Sequence, residues 1–163
     1  MQAQVFPDGR FVVRGHVFRA ALGAHGVLTF KEEGDEATPA GVLPLRRVLY
    51  RADRLRPPDC TVPLEPIAQT DGWCDDPGHR DYNRMVRLPH DGRCEELWRS
   101  DGLYDVIGVL GWNDAPVERK RGSAIFLHVA RTDYAPTKGC VALALPDLLR
   151  VLAMGVSELL VVG

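Results

Sequence analysis

Hydrophobic stretches along this chain are short and frequently interrupted. Arg10–Arg14, Val17–Leu22 and Val27–Lys31 alternate or run apolar, with Gly15-His16 and Gly23–Gly26 between them as turns. That pattern predicts three successive strands. The charged stretch Lys31–Glu36 leads into Ala37-Thr38-Pro39-Ala40-Gly41 and reads as an exposed loop. Val42–Arg51 predicts another strand in spite of Pro44, whereas residues 52–92, rich in Pro, Asp and Gly, read as irregular. Cys94–Arg99 predicts a short helix, with Leu97 and Trp98 on its apolar side. Tyr104–Leu110 and Ser123–Val129 are continuous apolar runs of the kind that buried strands show. Pro146–Met154 predicts a second helix, with Pro in its first turn and Gly155 as its stop, and Glu158–Val162 closes the chain as a strand. The expectation is one mainly β domain over residues 1–163, with one or two short helices.

Composition narrows the function classes. The 163 residues carry 20 Lys+Arg against 22 Asp+Glu, a formal charge of −2, which excludes a nucleic-acid binder working through a broad basic face. Apolar residues make up 45% of the chain, but no apolar run approaches the roughly 20 residues of a membrane-spanning helix. Residues Met1–Arg10 show no basic segment followed by an apolar stretch, so no signal peptide is read there. The four cysteines, Cys60, Cys74, Cys94 and Cys140, form no C-x-x-C pair, and no two histidines have zinc-ligand spacing. No metal site is expected on that basis. Cys74 with Cys94 is the expected disulfide, if one forms.

The segment richest in chemistry runs from Ser123 to Leu143. A buried strand carries His128; after a loop, Thr137-Lys138-Gly139-Cys140 opens another apolar segment. A free thiol of pKa about 8.5 is only a few per cent thiolate at pH 7, so a nucleophilic Cys requires a neighbouring base. His128 is the candidate base for Cys140. Gly139 would let the backbone approach a substrate closely, and the Gly139 and Cys140 amides could face a developing oxyanion. The same residues also fit a small buried thiol beside a core histidine, and spacing alone leaves both readings open.

A strand-borne His followed by a Thr-x-Gly-Cys element resembles the catalytic signature of the YkuD-type L,D-transpeptidases. Thr38-Pro39-Ala40-Gly41 resembles the Thr-Pro-x-Gly segment of that family. Gly72-Trp73-Cys74-Asp75-Asp76-Pro77, Tyr82-Asn83-Arg84, Glu96-Leu97-Trp98-Arg99 and Tyr104-Asp105-Val106-Ile107 are similar to a compact bacterial branch of it. The chain departs from the common signature at Lys138, where His is usual, and at Ala142, where Arg or Asn is usual.

The resemblance implies an L,D-transpeptidase-like β-sandwich without metal or organic cofactor. It implies that Cys140 attacks a peptide carbonyl at an L-centre of a peptidoglycan stem, with His128 as proton acceptor and a backbone carbonyl near Val129 orienting the imidazole. An amine of a second stem, that of meso-diaminopimelate, would then receive the acyl group in a 3-3 or variant link. Hydrolysis of stems by an L,D-carboxypeptidase, endopeptidase or amidase, and non-catalytic wall binding, are the alternatives. Thr137 and Lys138 beside the nucleophile, Trp73, Asp75, Tyr82, Asn83 and Arg84 in the irregular region, and Arg121 before the His strand are the expected substrate-binding residues. Peptidoglycan stem peptides are the expected partners, a monomer the expected state, and the periplasm the implied location.

Overall fold

A computed structural model describes residues Met1–Gly163. Its strands, in chain order, are β1 (Gln2–Val5), β2 (Arg10–Val13), β3 (His16–Ala21), β4 (Val27–Leu28), β5 (Thr38–Pro39), β6 (Gly41–Tyr50), β7 (Leu64–Pro66), β8 (Asp71–Cys74), β9 (Met85–Arg87), β10 (Cys94–Glu96), β11 (Val106–Leu110), β12 (Phe126–Val129), β13 (Val141–Leu143) and β14 (Glu158–Val161). The helix α1 (Leu145–Ala153) lies between β13 and β14. No helix is long and apolar enough to cross a membrane.

Nine strands form one sheet in the order β11-β12-β13-β3-β2-β1-β14-β6-β7. It closes on itself because the long β6 pairs with β14 through Gly41–Pro44 and with β11 through Leu45–Tyr50. Pro44, which cannot donate to a ladder, sits where β6 leaves one partner for the other, and its carbonyl accepts the Gly111 N–H at 2.7 Å. Inside the closed sheet lies a cluster of 22 buried residues, to which α1 contributes Leu148, Val151 and Leu152. The helix follows its sequence signals: Pro146 and Asp147 stand in the first turn, and Gly155 follows the last with φ +89°.

The functional face follows from strand alternation. Val106, Leu110, Leu127, Val141 and Leu143 point into the large core. Their neighbours Ile107, Val109, Phe126 and Cys140 point the other way, into a second cluster of ten buried residues that includes Trp73 and Tyr104. Both faces of β11 are therefore covered, which explains why it reads as an unbroken apolar run. The cover is a separate three-stranded sheet, β10-β8-β9, whose β8 and β9 come from the stretch whose composition predicts irregularity and whose β10 comes from the segment expected to be helical.

Several elements differ from expectation. Cys94–Glu96 is a strand, not the start of a helix: Cys94, Glu95 and Glu96 pair with Cys74, Trp73 and Gly72. Six residues are too few to hold a helix without tertiary support, and β8 offers a ladder instead. The strand expected over Val27–Lys31 ends at Leu28. Lys31, expected on an exposed loop, turns inward and is 3% exposed. Its Nζ donates to Asp35 Oδ1 at 2.6 Å and to Glu32 O at 2.9 Å.

Candidate active site

β12 and β13 run parallel, with Leu127 opposite Val141 and His128 opposite Ala142. Phe126 and His128 occupy alternate positions of β12 and share its outer face. Cys140, two residues before Ala142, meets the same face: its Sγ accepts the Phe126 N–H at 3.3 Å and donates to Ala124 O at 3.3 Å. Cys140 is 9% exposed and His128 7% exposed, and both line a cavity of about 700 Å³.

His128 Nδ1 lies 2.9 Å from Val129 O. A carbonyl only accepts, so Nδ1 carries the proton and Nε2 holds the free lone pair. This is the carbonyl that the resemblance implied, and no carboxylate contacts the ring. Tyr104 packs edge-on against the imidazole with ring centroids 5.3 Å apart. Burial, followed by the Arg99 charge, pushes the His128 pKa down to about 4 against the raising effect of Val129 O. Burial also pushes the Cys140 thiol up to about 12, with the Glu95 carboxylate adding to the shift and the Phe126 N–H opposing it. Burial thus favours a thiol and a neutral imidazole over a thiolate–imidazolium pair.

The loop before Cys140 is pinned from two sides. Thr137 N–H donates to Leu22 O at 2.9 Å, and Thr137 O accepts from Ala24 N–H at 3.0 Å. Thr137 Oγ1 donates to Cys140 O at 2.7 Å and accepts the Gly139 N–H at 3.1 Å. The Gly139 amide is thereby occupied, in contrast to the oxyanion role expected for it. The Cys140 amide has no acceptor within the protein. Gly139 has φ +137°, and a Cβ there would stand 2.8 Å from Ala37 O. Its requirement comes from packing against the chain's own backbone, not from room for a substrate.

The expected substrate-binding residues divide into two groups. Thr137, Lys138 and Asp75 line the cavity, and Asp75 Oδ1 accepts from Arg93 Nε at 3.1 Å. Trp73, Tyr82 and Asn83 do not: they are buried and their polar atoms are engaged. Asn83 Oδ1 accepts from Trp73 Nε1 at 3.0 Å and from Ala124 N–H at 3.1 Å, while its Nδ2 donates to Trp112 O and Asn113 O, both at 2.8 Å. Tyr82 OH donates to Glu33 Oε1 at 2.7 Å and accepts the Gly122 N–H at 3.0 Å. These three brace the 112–124 loop, whose Ala124 carbonyl receives the Cys140 thiol. Arg84 and Arg121 are exposed and lie outside the cavity.

Other residues of the cavity wall carry no sequence signal of their own. Lys31, Glu33, Glu95, Arg99 and Arg131 bring charge of both signs to it. Burial raises the Glu95 pKa, and Tyr104 OH donates to its carboxylate. Glu95 was hidden by the helical reading of Cys94–Arg99, and Lys31 by its place in a run of charges. Of the segments that carry the family resemblance, three reach this wall, through Asp75, Arg99 and Tyr104.

The family model of the YkuD L,D-transpeptidase catalytic domain matches residues 2–156. Among solved structures, an L,D-transpeptidase from Mycobacterium smegmatis is similar at 14% identity and a TM-score of 0.47, over 99% of this chain and 58% of that one. The chain thus spans little more than half the length of that neighbour. No curated protein matches it in sequence. With nearly its whole length inside the family match, the chain belongs to the YkuD family of L,D-transpeptidase catalytic domains.

Proposed function

We propose that this protein is a cysteine acyltransferase that cross-links peptidoglycan stem peptides outside the cytoplasmic membrane. One observation carries the reading: Cys140 and His128 stand on one face of two adjacent parallel strands and line the same cavity, where the Cys140 amide lacks a partner. A cavity of about 700 Å³ accommodates a segment of peptide, and its mixed charge suits a stem that carries both amine and carboxylate groups.

The neutral resting pair sets the order of steps. As the donor carbonyl reaches Cys140, the thiol proton passes to His128 Nε2 while Sγ bonds to the carbonyl carbon. Charge on the carbonyl oxygen is met by the Cys140 N–H. Collapse breaks the peptide C–N bond, and His128 returns the proton to the departing amine. The acceptor amine of a second stem then attacks the thioester, giving its proton to His128 and restoring the Cys140 thiol. Val129 O keeps the imidazole in the required tautomer throughout.

Disaccharide-tetrapeptide incubated with wild-type and Cys140→Ala protein tests the proposal. Mass spectrometry is expected to find a cross-linked dimer only with the wild type, and fragmentation places the new bond. Shortened monomers without dimer would replace the transferase with a hydrolase. No product from tetrapeptide or pentapeptide stems would overturn the substrate assignment.

A further inference from the structure

The β8–β10 sheet holds a cluster of donors that this reaction does not use. Cys74 and Cys94 are direct cross-strand partners. The adjoining hydrogen bonds, Asp75 N–H to Arg93 O and Leu97 N–H to Asp71 O, both at 3.1 Å, place the cysteine pair at a non-hydrogen-bonded position. Side chains on one face stand closest together there. His90, in the loop before β10, brings Nδ1 to 3.2 Å from Cys94 Sγ. The two sulfurs and a ring nitrogen lie within 4.8 Å of one another, and both cysteines are free. His90 Nε2 lies 2.9 Å from Asp81 Oδ2. That carboxylate accepts the Nε2–H, which fixes the ring proton on Nε2 and leaves the Nδ1 lone pair facing the sulfurs.

We propose that Cys74, Cys94 and His90 form a binding site for one borderline-soft divalent cation of the Zn²⁺ type. Two thiolates and an imidazole select such an ion over Mg²⁺ or Ca²⁺, and three protein donors leave a fourth position for water. Tetrahedral zinc with these donors sets them about 3.5–3.8 Å apart, so the donor atoms need to shift by about an ångström at most. Asp81 supplies the outer carboxylate that orients a ligating histidine. The Gly92 N–H, which donates to Nδ1 at 3.0 Å, is the contact the ion replaces. Binding releases the two thiol protons to water and transfers no electrons. The ion would tie β8, β10 and the His90 loop together, directly beside Glu95 in the wall of the catalytic cavity. Ligand spacing along the chain misses this set because sheet pairing, not sequence proximity, joins Cys74 to Cys94.

Co²⁺ titration of the reduced, metal-free full chain is the test. The expected result is one Co²⁺ per chain with thiolate-to-metal charge-transfer absorption, displaced by Zn²⁺ and retained in Cys140→Ser. Cys74→Ser and Cys94→Ser are expected to lose the charge-transfer bands. Asp81→Asn, which leaves the sheet intact, is expected to keep them with affinity about 10–100-fold weaker. Absence of these bands in the wild type would overturn the proposal. So would their loss in Cys140→Ser, or a Cys74–Cys94 disulfide as the prevailing form in protein alkylated at harvest.

Discussion

The molecule contains two cysteine–histidine pairs in opposite surroundings. Cys94 touches His90 directly, and Asp81 stands behind the ring, the arrangement a search for catalytic triads would select. Cys140 instead bonds to the Phe126 and Ala124 backbone, while His128 leans on Val129 O with no carboxylate at all. Both Cys94 and Cys140 line the cavity, but His128 lines it with Cys140 whereas His90 lies outside it. Asp81 draws the His90 pKa up through its hydrogen bond, whereas burial drives His128 down. Contact between a thiol and an imidazole therefore does not by itself define a nucleophile. The proposed nucleophile is the thiol whose histidine faces the same cavity, and the tighter cluster is better suited to holding a cation.

The comparison breaks most visibly at the proposed nucleophile. Cys140→Ala is expected to lower product formation by at least about 10³-fold in the tetrapeptide assay, and His128→Ala by about 10²–10⁴-fold. Asn83→Ala should come next, because it strips partners from the buried Trp73 indole and Ala124 amide. A loss of about 3 kcal/mol in denaturant unfolding is expected, with the cavity wall loosened.

Acid sharpens the contrast between the two histidines. The folded pKa of His128, about 4, lies below its ordinary 6.5, so between these values the unfolded chain binds a proton that the folded chain refuses. Stability contributed above pH 6.5 is lost as pH falls toward 4, by roughly 3 kcal/mol in all. His128→Gln is expected to flatten that part of a stability-against-pH curve. Thr137→Val should lower kcat by about tenfold, since it removes the hydroxyl that sets the Gly139–Cys140 turn and displaces the reacting sulfur. Arg121→Ala is the smallest: its exposed contact with Glu118 at 3.5 Å predicts under about 0.5 kcal/mol in thermal unfolding.

Legibility in the sequence followed locality. β2, β3, β6 and α1 were readable because turn glycines, prolines and apolar period act within a few residues of them. β1 was not, since Gln2–Val5 owes its place to β14 at the other end of the chain. Cys94–Arg99 contains good helix formers, but cross-strand pairing with β8 overrode their propensity. Cys140 and His128 were visible as a motif, and strand alternation then explains why they share a face. Trp73, Tyr82 and Asn83 stood out as residue types suited to recognition, but a sequence does not tell whether polar atoms face a substrate or the chain itself. Here they face Glu33, Gly122, Ala124, Trp112 and Asn113.

Trapping the covalent intermediate tests the central claim most directly. Wild-type protein quenched in acid during turnover of disaccharide-tetrapeptide would be digested and its acylated peptide mapped by mass spectrometry. The account predicts a thioester on the peptide containing Cys140, and none on those containing Cys74 or Cys94. An acyl group on Cys94, or full turnover by Cys140→Ala, would contradict it.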